Sequence, residues 1–243
     1  MRIASFVTCL VLTLASSAAL SAPPPGEGAK TFTARPKFGA TVFELPAAVR
    51  WRSTLLPGGR YRVSMDASVN VAPIVANIRA LSARALDRDI PCATLVRVQH
   101  AAATITSARS VRYDLRFRYA KRVCAGGLPL EFPADVRCAA TIALFATGST
   151  LAVDVRGATA PPCRIEGASA ALSQAIYGLV GIDVFKRHIV NLAKLLPREF
   201  QGATVDIRAF AFDPTRAELR IASESTMSEA QFAALMVRLN SPA

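Results

Sequence analysis

The strongest constraint on this chain is a two-residue alternation near its middle. Val111, Tyr113, Leu115, Phe117, Tyr119 and Val123 alternate with Arg112, Asp114, Arg116, Arg118 and Arg122. Side chains on an extended strand point to opposite faces with period two, so the segment reads as a β-strand with one apolar and one basic face. Tyr61, Val63, Met65, Ala67, Val69 and Val71 repeat the pattern earlier in the chain. Two such segments commit the chain to a sheet that covers one face and leaves the other to water.

The neighbouring segments extend this into a meander. Residues 94–106 are the expected partner of 111–123 across a turn at Ser107–Ser110. Val136, Cys138, Ala140, Ile142 and Leu144 share one parity, and Leu151, Val153 and Val155 resume it beyond Thr147-Gly148-Ser149-Thr150. A two-residue Gly-Ser turn pairing Thr147 with Thr150 sets Leu144 opposite Val153 and Ile142 opposite Val155. In the first hairpin Val96 and Val98 occupy the parity that a simple register pairs with Arg118, so a bulge or a slipped register is required there. A weaker strand is expected within 41–56. Ile74, Ile78, Leu81 and Ala85 recur at helical spacing after Pro73. Leu172, Ile176, Leu179 and Val180, then Phe185, His188, Ile189, Leu192, Leu195 and Leu196, predict two apolar helical pieces separated at an Asp183 cap. Strands at 203–212 and 217–223 follow, then a helix opened by a capping box at Thr226-Met227-Ser228-Glu229. The expected class is α+β: a long antiparallel β-meander with a helix before it and long apolar helices packed on it.

The N-terminus carries Arg2, an apolar run from Phe6 to Ala15 and the small-residue stretch Ser16–Ala22. An apolar centre of about ten residues is too short to span a bilayer and reads as a cleavable secretory signal over 1–22, with cleavage after Ala19, Ser21 or Ala22. Residues 23–40, beginning Pro23-Pro24-Pro25-Gly26, read as a flexible spacer, and 41–243 as one α+β domain. Export places Cys92, Cys124, Cys138 and Cys163 in an oxidising compartment, periplasmic or secreted, where four cysteines make two disulfides. Shared strand parity favours Cys92 with Cys124 and Cys138 with Cys163, with Cys124 to Cys138 as the alternative. No Cys-x-x-Cys pair or His at ligand spacing accompanies them, so the sequence implies neither metal nor cofactor.

Catalysis has little to stand on. His100 and His188 are the only imidazoles, and no Gly-x-Ser-x-Gly, Ser-x-x-Lys, His-Glu-x-x-His or Walker sequence occurs. The chain therefore reads as a binding protein and not an enzyme. The chain has 29 Lys and Arg against 17 Asp and Glu, and on the polar face of 111–123 Arg112, Arg116, Arg118 and Arg122 are opposed on the strand by Asp114 alone. Such a face suits an anionic partner, either a membrane surface or an acidic envelope protein. Nucleic acid is disfavoured by export and by the absence of aromatic residues on that face.

The order of long hairpins, a helix before them (73–86) and a long apolar helix after them (172–196) resembles the tubular lipid-binding, or BPI-like, superfamily over residues 61–223. The resemblance implies a curved antiparallel sheet wrapped on a long helix, with an apolar channel for acyl chains. Independently of it, a lipid or other apolar small molecule is expected between the apolar sheet face and the 168–196 helices, against Leu115, Phe117, Tyr119, Ile142, Leu144, Val153, Phe185, Ile189 and Leu192. The competing expectation is an envelope scaffold with a filled core that docks through its arginine face.

Overall fold

The computed structural model describes residues 24–38, 40–125, 128–157, 163–167, 187–194 and 196–241. The stretch expected to be a signal and the one expected to form the first apolar helix, with Asp183 and Phe185, lie outside the described residues. In chain order the elements begin with β1 (Glu27–Ala34), β2 (Lys37–Phe38), β3 (Thr41–Val42), β4 (Leu45–Leu56), β5 (Arg60–Asn70), α1 (Ala72–Ala76) and α2 (Ile78–Leu86). β6 (Arg88–Ile90), β7 (Thr94–Ser107), β8 (Ser110–Ala125), β9 (Leu128–Thr147), β10 (Thr150–Gly157) and β11 (Cys163–Ile165) follow. The chain continues through β12 (Arg187–Asn191), β13 (Thr204–Asp213), β14 (Glu218–Ser228) and α3 (Glu229–Asn240).

Antiparallel strand dominates, which corrects the expected class. No long apolar helix is packed on a sheet among the described residues. The second apolar helix expected to start at Phe185 is replaced at 187–191 by β12, beside β10 at the edge of a seven-stranded sheet. Ile189 and Val190 are β-branched, and a short apolar run does not distinguish a helix from a strand by spacing alone. Leu192 begins a short 3-10 turn. The expected spacer is corrected too, because residues 27–34 form β1, paired with β4 from Glu27↔Arg52 to Ala34↔Leu45.

The described residues fall into two compact units, each with its own core. One holds residues 24–73, 144–153 and 188–241. Its five-stranded antiparallel sheet runs β1-β4-β5-β14-β13. Val49, Trp51, Tyr61 and Val63 share the buried face and meet Phe232 and Leu239 of α3. Tyr61 stacks on Phe232 with ring centroids 4.1 Å apart. α3 opens on a capping box two residues later than its expected position. The Ser228 hydroxyl accepts from the Gln231 N–H (3.3 Å), and the Gln231 side chain accepts from the Ser228 N–H (2.9 Å).

The other unit holds residues 74–143 and, within 154–187, the described part. β6, β7, β8 and β9 are sheet neighbours in sequence order, and β11 pairs with β9. Of the two expected ways to move these valines off the arginine face, the structure takes the bulge: the register shifts between Val98 and His100, which puts Val96 opposite Tyr119 and Val98 opposite Phe117. Asp87 holds it by accepting the Val98 N–H at 2.7 Å. The apolar face buries Val96, Val98, Leu115, Phe117, Val136 and Cys138 in one cluster, covered in part by Ile78, Ala83 and Leu86 of α2. Tyr113 bonds Ser82 of α2 at 2.8 Å, and burial raises its phenol pKa. Both favoured disulfides form, Cys92–Cys124 and Cys138–Cys163. Two such bonds are consistent with an oxidising, exported location.

Candidate functional site

The polar face of the same sheet carries the candidate site. Directly opposed residues in an antiparallel register point to the same side. His100 on β7 pairs with Arg116 on β8, Arg116 with Arg137 on β9, and Arg137 with Arg164 on β11. Four consecutive strands thereby set three arginines and a histidine in one transverse row. The adjacent row runs Ala102, Asp114, Ala139, and the next Thr104, Arg112, Thr141. Small side chains beside long ones leave an open groove of about 630 Å³, with Arg112, Asp114, Arg116, Arg137, Arg164 and Glu166 as its charged lining and His100 at its side.

Four arginines meet two carboxylates there. Arg112 is engaged with Asp114 at 2.9 Å, and that hydrogen bond, reinforced by the carboxylate charge, raises the Arg112 pKa. Glu166 sits between two members of the row, at 2.9 Å from Arg116 Nη2 and in close contact with Arg137. Arg164 and His100 make no ion pair among the described residues. Arg116 Nε is buried from solvent with no hydrogen-bond partner among the described residues. Leaving such a donor unsatisfied costs about 1–3 kcal/mol. Like charges directly opposed across strands are also unfavourable. An anion in the groove would offset the repulsion, because its oxygens accept from several guanidinium groups at once.

The arginines singled out in the sequence divide. Arg112 and Arg116 line the groove. Arg118 shares their face, opposite Arg97 and Asp135, and makes no ion pair among the described residues. Arg122 is a structural clamp, bonded to Glu131 at 2.6 Å and Asp89 at 2.5 Å with its side chain only 19% exposed. Its pKa is raised by the Glu131 hydrogen bond first, then by Asp89. His100, Arg137, Arg164 and Glu166 were not foreseen as site residues.

The apolar ligand candidates are distributed through the fold. Leu115 and Phe117 are buried in the core that α2 covers, with Tyr119 packed against it. Ile142 is half-buried, Leu144 and Val153 are buried in the other unit, Leu192 is half-buried in its 3-10 turn, and Ile189 is 62% exposed. Phe185 lies outside the described residues. No three His, Cys, Asp or Glu side chains converge as a metal site would need among the described residues.

Compared with known proteins, the chain matches no family model, no curated protein and no solved structure, and nothing in those comparisons bears on the tubular lipid-binding resemblance.

Proposed function

We infer that this is an exported protein that takes up anionic groups, phosphate or carboxylate, in its basic groove, and that it works by binding without turnover. The observation that carries the reading is the in-register row of His100, Arg116, Arg137 and Arg164, in which one carboxylate serves two arginines. A row built only for stability would alternate charge, as Arg122 does between Asp89 and Glu131. The planar guanidinium fork suits oxyanions in a way a lone ammonium does not. Leu115 and Phe117 have protein neighbours on the apolar face, whereas the groove is open to solvent, so the basic face supports a ligand better than the apolar one.

The test is calorimetric titration of the exported chain with tripolyphosphate at low salt, wild type beside Arg137→Gln/Arg164→Gln. Hydrogen bonds to charged groups are each worth about 1.5–3 kcal/mol, so the double substitution is expected to weaken binding at least tenfold. Undiminished affinity in the folded variant would refute the assignment.

A further inference from the structure

The apolar face of β8 continues past the part that α2 covers. Beyond Tyr119 the same parity reaches Lys121 and Val123, whose partners on β9 are Phe132 and Leu130. Lys121 is also opposite Thr94 on β7, and Thr94 opposite Ile90 on β6. Ile90, Val123, Leu130 and Phe132 therefore share one side of one sheet end, and all are between 43% and 62% exposed. Scattered exposed apolar residues are ordinary, but a contiguous group at a strand end marks a contact surface.

Charge selects the partner. On this side lie Lys121 and Arg88, the latter opposite buried Val96, and neither makes an ion pair among the described residues. The local carboxylates, Asp89 and Glu131, alternate to the other side, where Arg97 and Arg122 hold them. The result is an apolar patch rimmed by cations that are unpaired among the described residues, with Asp89 and Glu131 held on the opposite side. The end is also fixed in place, since Cys92–Cys124 ties the β6–β7 connection to the end of β8 and the Arg122 N–H bonds the Ala93 carbonyl at 3.0 Å.

We propose that this sheet end docks on an anionic lipid bilayer, inserting Phe132, Leu130, Val123 and Ile90 at the boundary between the headgroups and the acyl chains while Lys121 and Arg88 contact lipid phosphates. Apolar burial supplies the insertion and the two cations supply the preference for anionic lipid. The long Lys and Arg stems let the charged heads stay at the headgroup level. The surface is distinct from the groove, which occupies the opposite face of the same strands.

The test uses the full exported chain with vesicles of phosphatidylglycerol mixed with phosphatidylcholine, beside vesicles of phosphatidylcholine alone. In a Phe132→Trp variant the new indole is expected to shift its emission to the blue on the anionic vesicles, while the buried native Trp51 contributes a constant background. Leu130→Ser/Phe132→Ser should weaken cosedimentation roughly tenfold or more, and Lys121→Gln about fivefold. Tripolyphosphate binding in the groove should be unchanged in both, and Arg137→Gln/Arg164→Gln should keep the blue shift, so the two surfaces fail independently. An unshifted indole, equal binding to phosphatidylcholine alone, or undiminished cosedimentation of Leu130→Ser/Phe132→Ser would each overturn the proposal. So would a wild-type dimer that the same double substitution converts to monomer, which would assign the patch to a second copy.

Discussion

Gly28 of β1 lies directly opposite Trp51 of β4, and the indole occupies the space a side chain would need. A Cβ added at Gly28 would stand 2.2 Å from Trp51 Cζ2 and 2.7 Å from Cε2 and Cη2. Ordinary contact begins near 3.4 Å, so either strand or ring must move by more than an ångström. Trp51 has little room to yield, being packed among Val49, Tyr61, Val63, Met227 and Phe232. Gly28→Ala is therefore expected to destabilise this unit by about 1–3 kcal/mol, the usual cost of overpacking, although alanine ordinarily suits a strand better than glycine. Trp51→Phe removes the atoms that clash, so Gly28→Ala in that background should cost at least about 1 kcal/mol less, a coupling typical of residues in contact. Urea unfolding followed by circular dichroism on the four chains of the cycle measures this without relying on the indole. A cost below about 0.5 kcal/mol, the scale of ordinary surface changes, or an equal cost in both backgrounds, would refute the packing of β1 on β4.

Two further outcomes follow from the other unit. Cys92 and Cys124 are exposed, whereas Cys138 and Cys163 are buried in the core, so mild reductant on the folded chain should open Cys92–Cys124 first, as mass mapping of alkylated thiols would show. The loops, with sequence separations of 32 and 25, are close enough in size that each bond contributes about 3.5 kcal/mol in the chain-entropy model, and loss of either should lower the urea midpoint by a similar amount. Burial raises the Tyr113 pKa above its unfolded value, so its share of stability is present below about pH 10 and lost as pH rises through the folded value. Tyr113→Phe should flatten that alkaline decline in unfolding titrations, and an unchanged slope would contradict the burial of the phenol.

Much of the sheet was legible because its signals are local. The parity of 61–71 and 111–123, the Thr147-Gly148-Ser149-Thr150 turn and the conflict at Val98 each follow from period two, and the structure shows the strands, the turn position and the bulge. The transverse row was not read, although its key was present. Once Cys138 pairs with Cys163 in an antiparallel ladder, Arg137 must stand opposite Arg164. The register that would set Val98 against Arg118 already sets His100 against Arg116; what the sequence withheld was the bulge position, because the extra residue at Gln99, which turns Val98 to Phe117, leaves no compositional mark. β1 was missed because its alternation is carried by Gly28, Lys30, Phe32 and Ala34, with one large apolar residue among them. Its burial depends on Trp51 filling the place of the missing side chain. The capping box was displaced because Thr226 also has the right chemistry, but it is held in β14 opposite Thr204, and Ser228 is the first residue free to cap.

Glu166→Gln asks whether the groove is cationic in order to hold an anion. The amide keeps the size of the side chain but removes the one charge that engages both Arg116 and Arg137. If those arginines serve a ligand, tripolyphosphate should bind the variant more tightly, by about fivefold, because unit charges 4 Å apart interact by about 1 kcal/mol even in water. Weaker or unchanged binding in a folded Glu166→Gln chain would mean that the arginines exist to pair with Glu166, and would contradict the account.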